Sequence, residues 1–126
     1  MTPGLRRSAL LLALGVALAA LTLAPRVSGA AAPPTVQIKA EEFRFTPTEV
    51  AVRSGEVIFA VKNEGALEHN FVIEDAAGKR LGSIASILPE KTDHLRVTLR
   101  SGNYVIVCDL PGHKDAGMNA KLTVRE

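Results

Sequence analysis

From residue 35 onward the chain consists of short apolar runs in which hydrophobic and polar side chains alternate. Val36 and Ile38, and likewise Val97 and Leu99, place apolar side chains at every second position between polar neighbours. This period of two is typical of a β-strand with one buried face. Runs rich in Val, Ile, Phe and Thr are separated by turn residues throughout, and they predict eight strands, at residues 35–40, 43–46, 49–52, 56–62, 69–74, 94–99, 103–108 and 121–125.

The same pattern predicts an all-β fold, because no run beyond residue 34 has the longer apolar period of an amphipathic helix. Short strands at this spacing favour an antiparallel Greek-key sandwich or barrel of about eight strands. Residues 79–91 fit either a further strand or a short helical turn. About 90 residues are enough for one small domain with a single core, so we predict one domain over residues 35–126.

The first thirty residues predict an export signal. Arg6 and Arg7 precede an apolar run at residues 9–24, and small residues lead up to Ala31, which is the layout of a cleavable signal peptide. The run is shorter than the roughly 20 residues needed to span a bilayer, so a retained membrane anchor is the alternative. The arginine pair also permits twin-arginine export, although its flanking residues match that signal poorly. We therefore expect residues 1–30 to be a signal peptide, residues 31–34 a linker, and the domain to reside in the periplasm or another extracytoplasmic compartment.

Charge gives no indication of a nucleic-acid partner. The full chain has a net charge of +2, but the signal contains three of the fifteen basic residues and no acidic one, so the remainder has a net charge of −1. No Lys/Arg run with interleaved aromatic residues follows the signal, and such a run would be expected of a nucleic-acid surface. We expect partners to recognise a local surface patch of this chain rather than the electrostatic field of the whole protein.

Most of the side chains that could bind a metal ion are concentrated near the C-terminus. Cys108 is the only cysteine, and His113 and Met118 follow it at intervals of five residues, while His69 lies further upstream. A lone cysteine in an exported protein is unpaired within its own chain, and metal ligation is one way to occupy it. Thiolate, imidazole and thioether donors together suit copper. Pro111, Gly112 and Gly117 can reverse the chain between the donors.

The Cys-x4-His-x4-Met loop, the His69-Asn70 pair and the Tyr104-x3-Cys108 strand resemble the cupredoxins, most closely the small plastocyanin/azurin-type proteins. The resemblance implies one type 1 copper ion held by His69, Cys108 and His113, with Met118 as a weak axial ligand. It also implies an electron carrier without enzymatic activity, which acts as a monomer between redox proteins and meets a membrane only if the N-terminal segment is retained.

By the same resemblance, further residues support the ligands. Asn70 would brace the ligand loop and direct its backbone N–H at the Cys108 sulfur, and the backbone carbonyl of Glu68 would approach the metal. Leu110 and Pro111 would lie around the site. Partners would dock at an apolar surface over the ring edge of His113, formed by His113, Leu110, Pro111 and Ala116.

Several alternatives remain open at this point. A catalytic zinc site could use Cys108, His69 and His113, but it would leave Met118 without a role. A copper nitrite reductase domain would need more histidines than His94 can add, since His94 lies in a charged run and is expected to be an exposed strand residue. A dinuclear copper centre would need a second cysteine. Copper delivery and a metal-free interaction module are the non-enzymatic alternatives.

Overall fold

The computed structural model describes Met1 and residues 29–126. The predicted export signal and its alternative, a retained anchor, lie almost wholly outside the described residues, so both stay predictions. Residues Ala31–Glu126 form one compact unit, whose first strand begins at Thr35. Within the described part of the chain, no helix has the length and apolar character required to cross a membrane.

Nine strands make up this unit, and the all-β prediction is confirmed. Each of the eight predicted strands is found with its ends displaced by no more than about two residues. The ninth lies in the stretch 79–91, where the strand alternative is the one observed. The strands are β1 Thr35–Glu41, β2 Arg44–Thr46, β3 Glu49–Arg53, β4 Gly55–Asn63, β5 His69–Glu74, β6 Arg80–Ile87, β7 Thr92–Leu99, β8 Gly102–Val107 and β9 Asn119–Arg125.

The strands form two sheets and therefore a sandwich rather than a closed barrel. One sheet has the order β2-β1-β4-β7, and the other has the order β3-β9-β8-β5-β6. Most neighbours are antiparallel as expected, but β1 pairs with β4 in parallel and so does β3 with β9. The chain leaves the first sheet after β2, forms β3 in the second sheet and returns as β4. Such a crossover is what allows β1 and β4 to run in the same direction.

The core lies between the sheets and is built from the inward-facing residues of both. Phe59 of β4 and Phe71 of β5 have ring centroids 5.4 Å apart, and Phe45 packs edge-on against Phe71 at 5.7 Å. Fully buried aliphatic side chains surround them, among them Ile38, Val57, Ile73, Ile106 and Leu122. A close-packed interior of this kind keeps the strand ends in fixed positions. Candidate metal ligands lie at those ends.

Candidate metal centre

Strand pairing brings the two distant parts of the candidate site together. β5 and β8 are antiparallel neighbours, with Val72 opposite Val107 and Ile73 opposite Ile106. The start of β5 therefore lies beside the end of β8. His69 is the first residue of β5, and Cys108 directly follows β8, so residues 39 positions apart meet at one end of the sandwich.

A tight loop between β8 and β9 returns the chain to the same place. The Cys108 N–H donates to the carbonyl of Met118 at 3.2 Å, and the Met118 N–H donates to the carbonyl of His113 at 3.1 Å. Gly112 and Gly117 have φ values of 80° and 92°, a left-handed region that glycine enters without strain. The loop thus closes on itself and directs the His113 ring back toward Cys108.

Three donor atoms converge at this end of the sandwich. His69 Nδ1 lies 3.2 Å from His113 Nδ1, while Cys108 Sγ lies 4.0 Å from His69 Nδ1 and 3.4 Å from His113 Nδ1. A point equidistant from all three atoms falls inside this triangle, about 2.1 Å from each by plane geometry. Zinc–imidazole and zinc–thiolate bonds of roughly 2.0 to 2.3 Å set the scale for an ion of this size. The donor triangle therefore has the dimensions of a trigonal metal plane.

The chemistry of the donors also fits copper. Two imidazoles and one thiolate with a nearby thioether form a soft set of the kind that electron-transfer copper sites use. His69 and Cys108 are fully buried, whereas His113 is partly exposed. Burial lowers the pKa of His69, since a cationic ring is disfavoured away from water. A neutral imidazole with a free lone pair is the form that binds a metal.

Met118 is fully buried, and its backbone is bonded to both Cys108 and His113. These bonds keep it within the same closed loop as two of the donors. Its axial role and the ligand roles of the other three residues stay predictions. Glu68 is exposed and its carboxylate accepts a hydrogen bond from the Ser86 hydroxyl. The approach of its backbone carbonyl to a metal likewise stays a prediction.

Asn70 connects the two halves of the site. Its backbone N–H donates to Cys108 Sγ at 3.4 Å. Its side chain donates to Asp109 Oδ1 at 2.6 Å and accepts from the Asp109 N–H at 2.9 Å. Arg80 on β6 forms an ion pair with the same carboxylate. Asn70 and Asp109 therefore link the start of β5 to the residues that follow β8, and Arg80 joins the same group. The role of Asn70 beside a bound metal stays a prediction.

Glu42 is a neighbour of the cluster that sequence reasoning missed. Its Oε1 lies 3.2 Å from His69 Nε2, the ring nitrogen that points away from the other donors. The same oxygen accepts a hydrogen bond from the Leu67 N–H at 2.8 Å, and this bond is the main reason that the pKa of Glu42 is lowered. Glu42 follows β1, and 27 positions separate it from His69. The sequence contains no local signal for this contact.

The surface beside His113 is more apolar than predicted. Leu110 is half-buried, and Pro111 and Ala116 are exposed, so all three expected surface residues are accessible to some degree. The ring of Phe43 meets the His113 ring edge-on at 5.0 Å and is 39% exposed. Phe43 therefore extends this surface beyond the predicted residues. His94 is exposed on β7 of the other sheet, as expected.

Comparison with known proteins agrees with this geometry. The model of the cupredoxin-like domain family matches residues 10–124, so the chain belongs to the cupredoxin-like family. Members of this family bind copper, and a His–Cys–His cluster of metal-ligating groups is present here.

Individual relatives are similar to this chain at low sequence identity. The chain is 28% identical over 105 residues to the copper-resistant cuproprotein CopI of Rubrivivax gelatinosus, a match that covers 70% of this chain and 64% of that protein. The dithionite-reduced auracyanin of Roseiflexus castenholzii superposes with a TM-score of 0.67 at 22% identity, covering 76% of this chain and 99% of that one. Auracyanin A, a blue copper protein of Chloroflexus aurantiacus, superposes with a TM-score of 0.66 at 24% identity over 73% and 99% of the two chains. These structures share the fold with this chain.

Proposed function

We propose that this chain is an exported single-copper protein that carries electrons one at a time between redox partners. The observation that carries the proposal is the triangle of His69 Nδ1, His113 Nδ1 and Cys108 Sγ, whose size suits one ion. His69, Cys108, His113 and Met118 would hold the copper ion. Bound copper would supply a Cu(I)/Cu(II) couple, which needs no bond making at the protein.

The protein's own part is to keep the donors still. His69 and Cys108 lie at the ends of paired strands, and the Asn70–Asp109 hydrogen bonds tie the following loop to β5. Donors that move little between redox states keep the reorganisation energy of electron transfer small. The Asn70 N–H also donates to Cys108 Sγ at 3.4 Å, which helps to keep the sulfur atom in place.

Partners would approach over the exposed edge of His113. The ring is partly exposed and packs against Phe43, and the loop that contains it also presents Leu110, Pro111 and Ala116. An apolar surface of this kind suits the small, transient interfaces of redox encounters. Lys114 at the rim is paired with Glu74 at 3.1 Å, so the charge beside this surface is partly balanced. We propose protein donors and acceptors, no nucleic-acid partner and a monomeric carrier. Contact with a membrane would follow only from a retained N-terminal anchor.

A zinc hydrolase is less well supported than an electron carrier. Glu42 does bring a carboxylate near the cluster, as a general base would require. However, that carboxylate is bonded to His69 Nε2 and to the Leu67 N–H, on the side of the ring away from Nδ1. We therefore propose no enzymatic activity.

Copper handling is the second candidate, and one observation favours it. The relative from Rubrivivax gelatinosus is named a copper-resistant cuproprotein, and this chain spans a little under two thirds of its length. By that similarity the chain would bind copper to protect or supply other proteins. A carrier and a handling protein differ in how firmly the ion is kept when it is reduced.

The electron self-exchange rate of the copper-loaded protein distinguishes the two functions. We expect mixtures of the oxidised and reduced protein to show exchange broadening of NMR lines near His113, because the donors are held in place and the ring edge is exposed. We also expect the reduced protein to retain its copper in the presence of a moderate Cu(I) chelator through repeated redox cycles. Slow exchange together with loss of copper on reduction would contradict electron transfer and favour copper handling.

A further inference from the structure

The two imidazoles of the cluster have different surroundings. His69 is completely buried, and its ring has a polar neighbour at each nitrogen, with Nδ1 facing Cys108 and His113 and Nε2 facing Glu42. Among the described residues, the His113 ring has polar contacts only at Nδ1, and its other ring contact is with Phe43, at a centroid distance of 5.0 Å. A carboxylate thus accompanies one candidate ligand and not the other.

The Glu42 carboxylate is itself held in place. The Leu67 N–H donates to it at 2.8 Å, and a Cβ atom at Gly65 would collide with it, so the 64–68 segment leaves room for this group. Asn63 fixes that segment, because its side chain donates to the Leu67 carbonyl at 2.7 Å and accepts from the Gly65 N–H at 2.9 Å. The Glu42 side chain is 30% exposed to solvent, and these contacts hold its carboxylate against the buried ring of His69.

We propose that Glu42 is a positioning residue for His69. An ionised carboxylate only accepts hydrogen bonds, so its contact at 3.2 Å requires the proton of the neutral ring to be on Nε2. The lone pair is then on Nδ1, the atom that faces the other donors. Carboxylate–histidine–metal arrangements of this kind set the ring's tautomer and orientation and make the ligand more basic.

Glu42 also adds a negative charge one imidazole away from the donor triangle. A nearby anion stabilises the more highly charged state of a metal ion, because the opposite charges attract each other and water screens this attraction less at a partly buried site. We infer that Glu42 favours Cu(II) over Cu(I) and so lowers the reduction potential. This second effect depends on the proposed copper function, whereas the effect on the His69 tautomer does not.

Two variants separate the proton-directing role from the charge. Glu42→Gln keeps the side-chain length and one acceptor oxygen but removes the charge. Glu42→Ala removes both the acceptor oxygen and the charge. Glu41→Gln is the matched control, because it removes the same charge from the adjacent residue, whose carboxylate pairs with Arg44 at the surface. The tautomer of His69 is read by 15N–1H NMR in the metal-free protein, and the reduction potential is read by voltammetry of the copper-loaded protein.

We expect His69 of the metal-free wild type to be protonated at Nε2 when its ring is neutral, and to remain so in Glu42→Gln and in the control. In Glu42→Ala we expect a mixture of tautomers and a Cu(II) affinity lower by roughly 10- to 100-fold, as is usual when such a partner is lost. For Glu42→Gln we expect the preference for Cu(II) over Cu(I) to fall about tenfold, which raises a one-electron potential by about 59 mV.

The positioning role is overturned if wild-type His69 carries its proton on Nδ1, or if Glu42→Ala leaves the tautomer unchanged. The charge effect is overturned if Glu42→Gln moves the potential no further than Glu41→Gln does. A wild-type protein that forms no coloured copper site would refute the proposed function instead. The metal-free NMR result would still decide the positioning role in that case, and Glu42→Gln keeps the test available if Glu42→Ala does not fold.

Discussion

Replacement of Cys108 by serine is expected to abolish the intense visible band of the copper-loaded protein. That band requires charge transfer from a cysteine thiolate to copper, and Cys108 is the only cysteine in the chain. A serine hydroxyl does not ionise near neutral pH and is a harder donor. The affinity for copper should fall by more than about 100-fold, beyond the roughly 10- to 100-fold cost of losing an outer partner of a ligand. Visible absorption and a competitive chelator titration measure both effects.

The Cys108→Ser protein should nevertheless keep its sandwich. Cys108 is fully buried at the end of β8, and the replacement places a hydroxyl group there at a cost of about 1–3 kcal/mol, less than the stability of a typical domain. Far-UV circular dichroism of the metal-free protein should therefore match the wild type. His94→Gln is the control, because His94 is exposed on β7, and this variant should retain the band. Persistence of the band in Cys108→Ser would show that the sulfur donor is wrongly assigned.

Replacement of Asn63 by alanine is expected to destabilise the metal-free protein by about 2–4 kcal/mol. The Asn63 side chain is completely buried and makes three hydrogen bonds, to the carbonyls of Leu67 and Ile87 and from the Gly65 N–H. Each buried backbone group that loses its partner costs about 1–3 kcal/mol, and exposure of part of the 64–68 segment to water reduces the total. Urea unfolding followed by fluorescence or circular dichroism measures the change.

Asn63→Ala should also weaken copper binding, because the segment it fixes leads directly into His69 and supports Glu42. Asn103→Ala is the control, since Asn103 is exposed on β8 and surface substitutions usually change stability by less than about 0.5 kcal/mol. A loss of stability no larger for Asn63→Ala than for this control would contradict the role assigned to the buried amide. Unchanged copper affinity in a destabilised variant would contradict the coupling to His69.

The strands could be predicted from sequence because the core enforces a local pattern. In β1, Ile38 and Ala40 are buried while Gln37 and Lys39 are exposed, so the period of two is visible in the residue order itself. The parallel pairing of β1 with β4 could not be predicted in this way. Alternation reports which face of a strand is buried, and it is the same for both strand directions. The strand β6 was ambiguous because its sequence contains Gly82 and several exposed residues.

The candidate ligands were accessible to sequence reasoning for a different reason. Cys108, His113 and Met118 lie within one loop, and cysteine, histidine and methionine are rare in this chain. Their close spacing is therefore visible in the sequence itself. Glu42 and Asn63 lack that signal, because glutamate and asparagine are ordinary residues at a turn and at the end of a strand. Their importance arises from contacts with residues that the fold brings near, Glu42 with His69 and Asn63 with Ile87. Only the folded arrangement of the two sheets reveals these supports.

The central claim is that His69, Cys108, His113 and Met118 together bind one redox-active ion. A titration of the metal-free protein with Cu(II), followed by visible absorption, tests it most directly. We expect an intense thiolate-to-copper band that grows linearly and stops at one equivalent of copper per chain. A protein that binds copper with no such band, or a band that saturates well away from one equivalent, would contradict the claim.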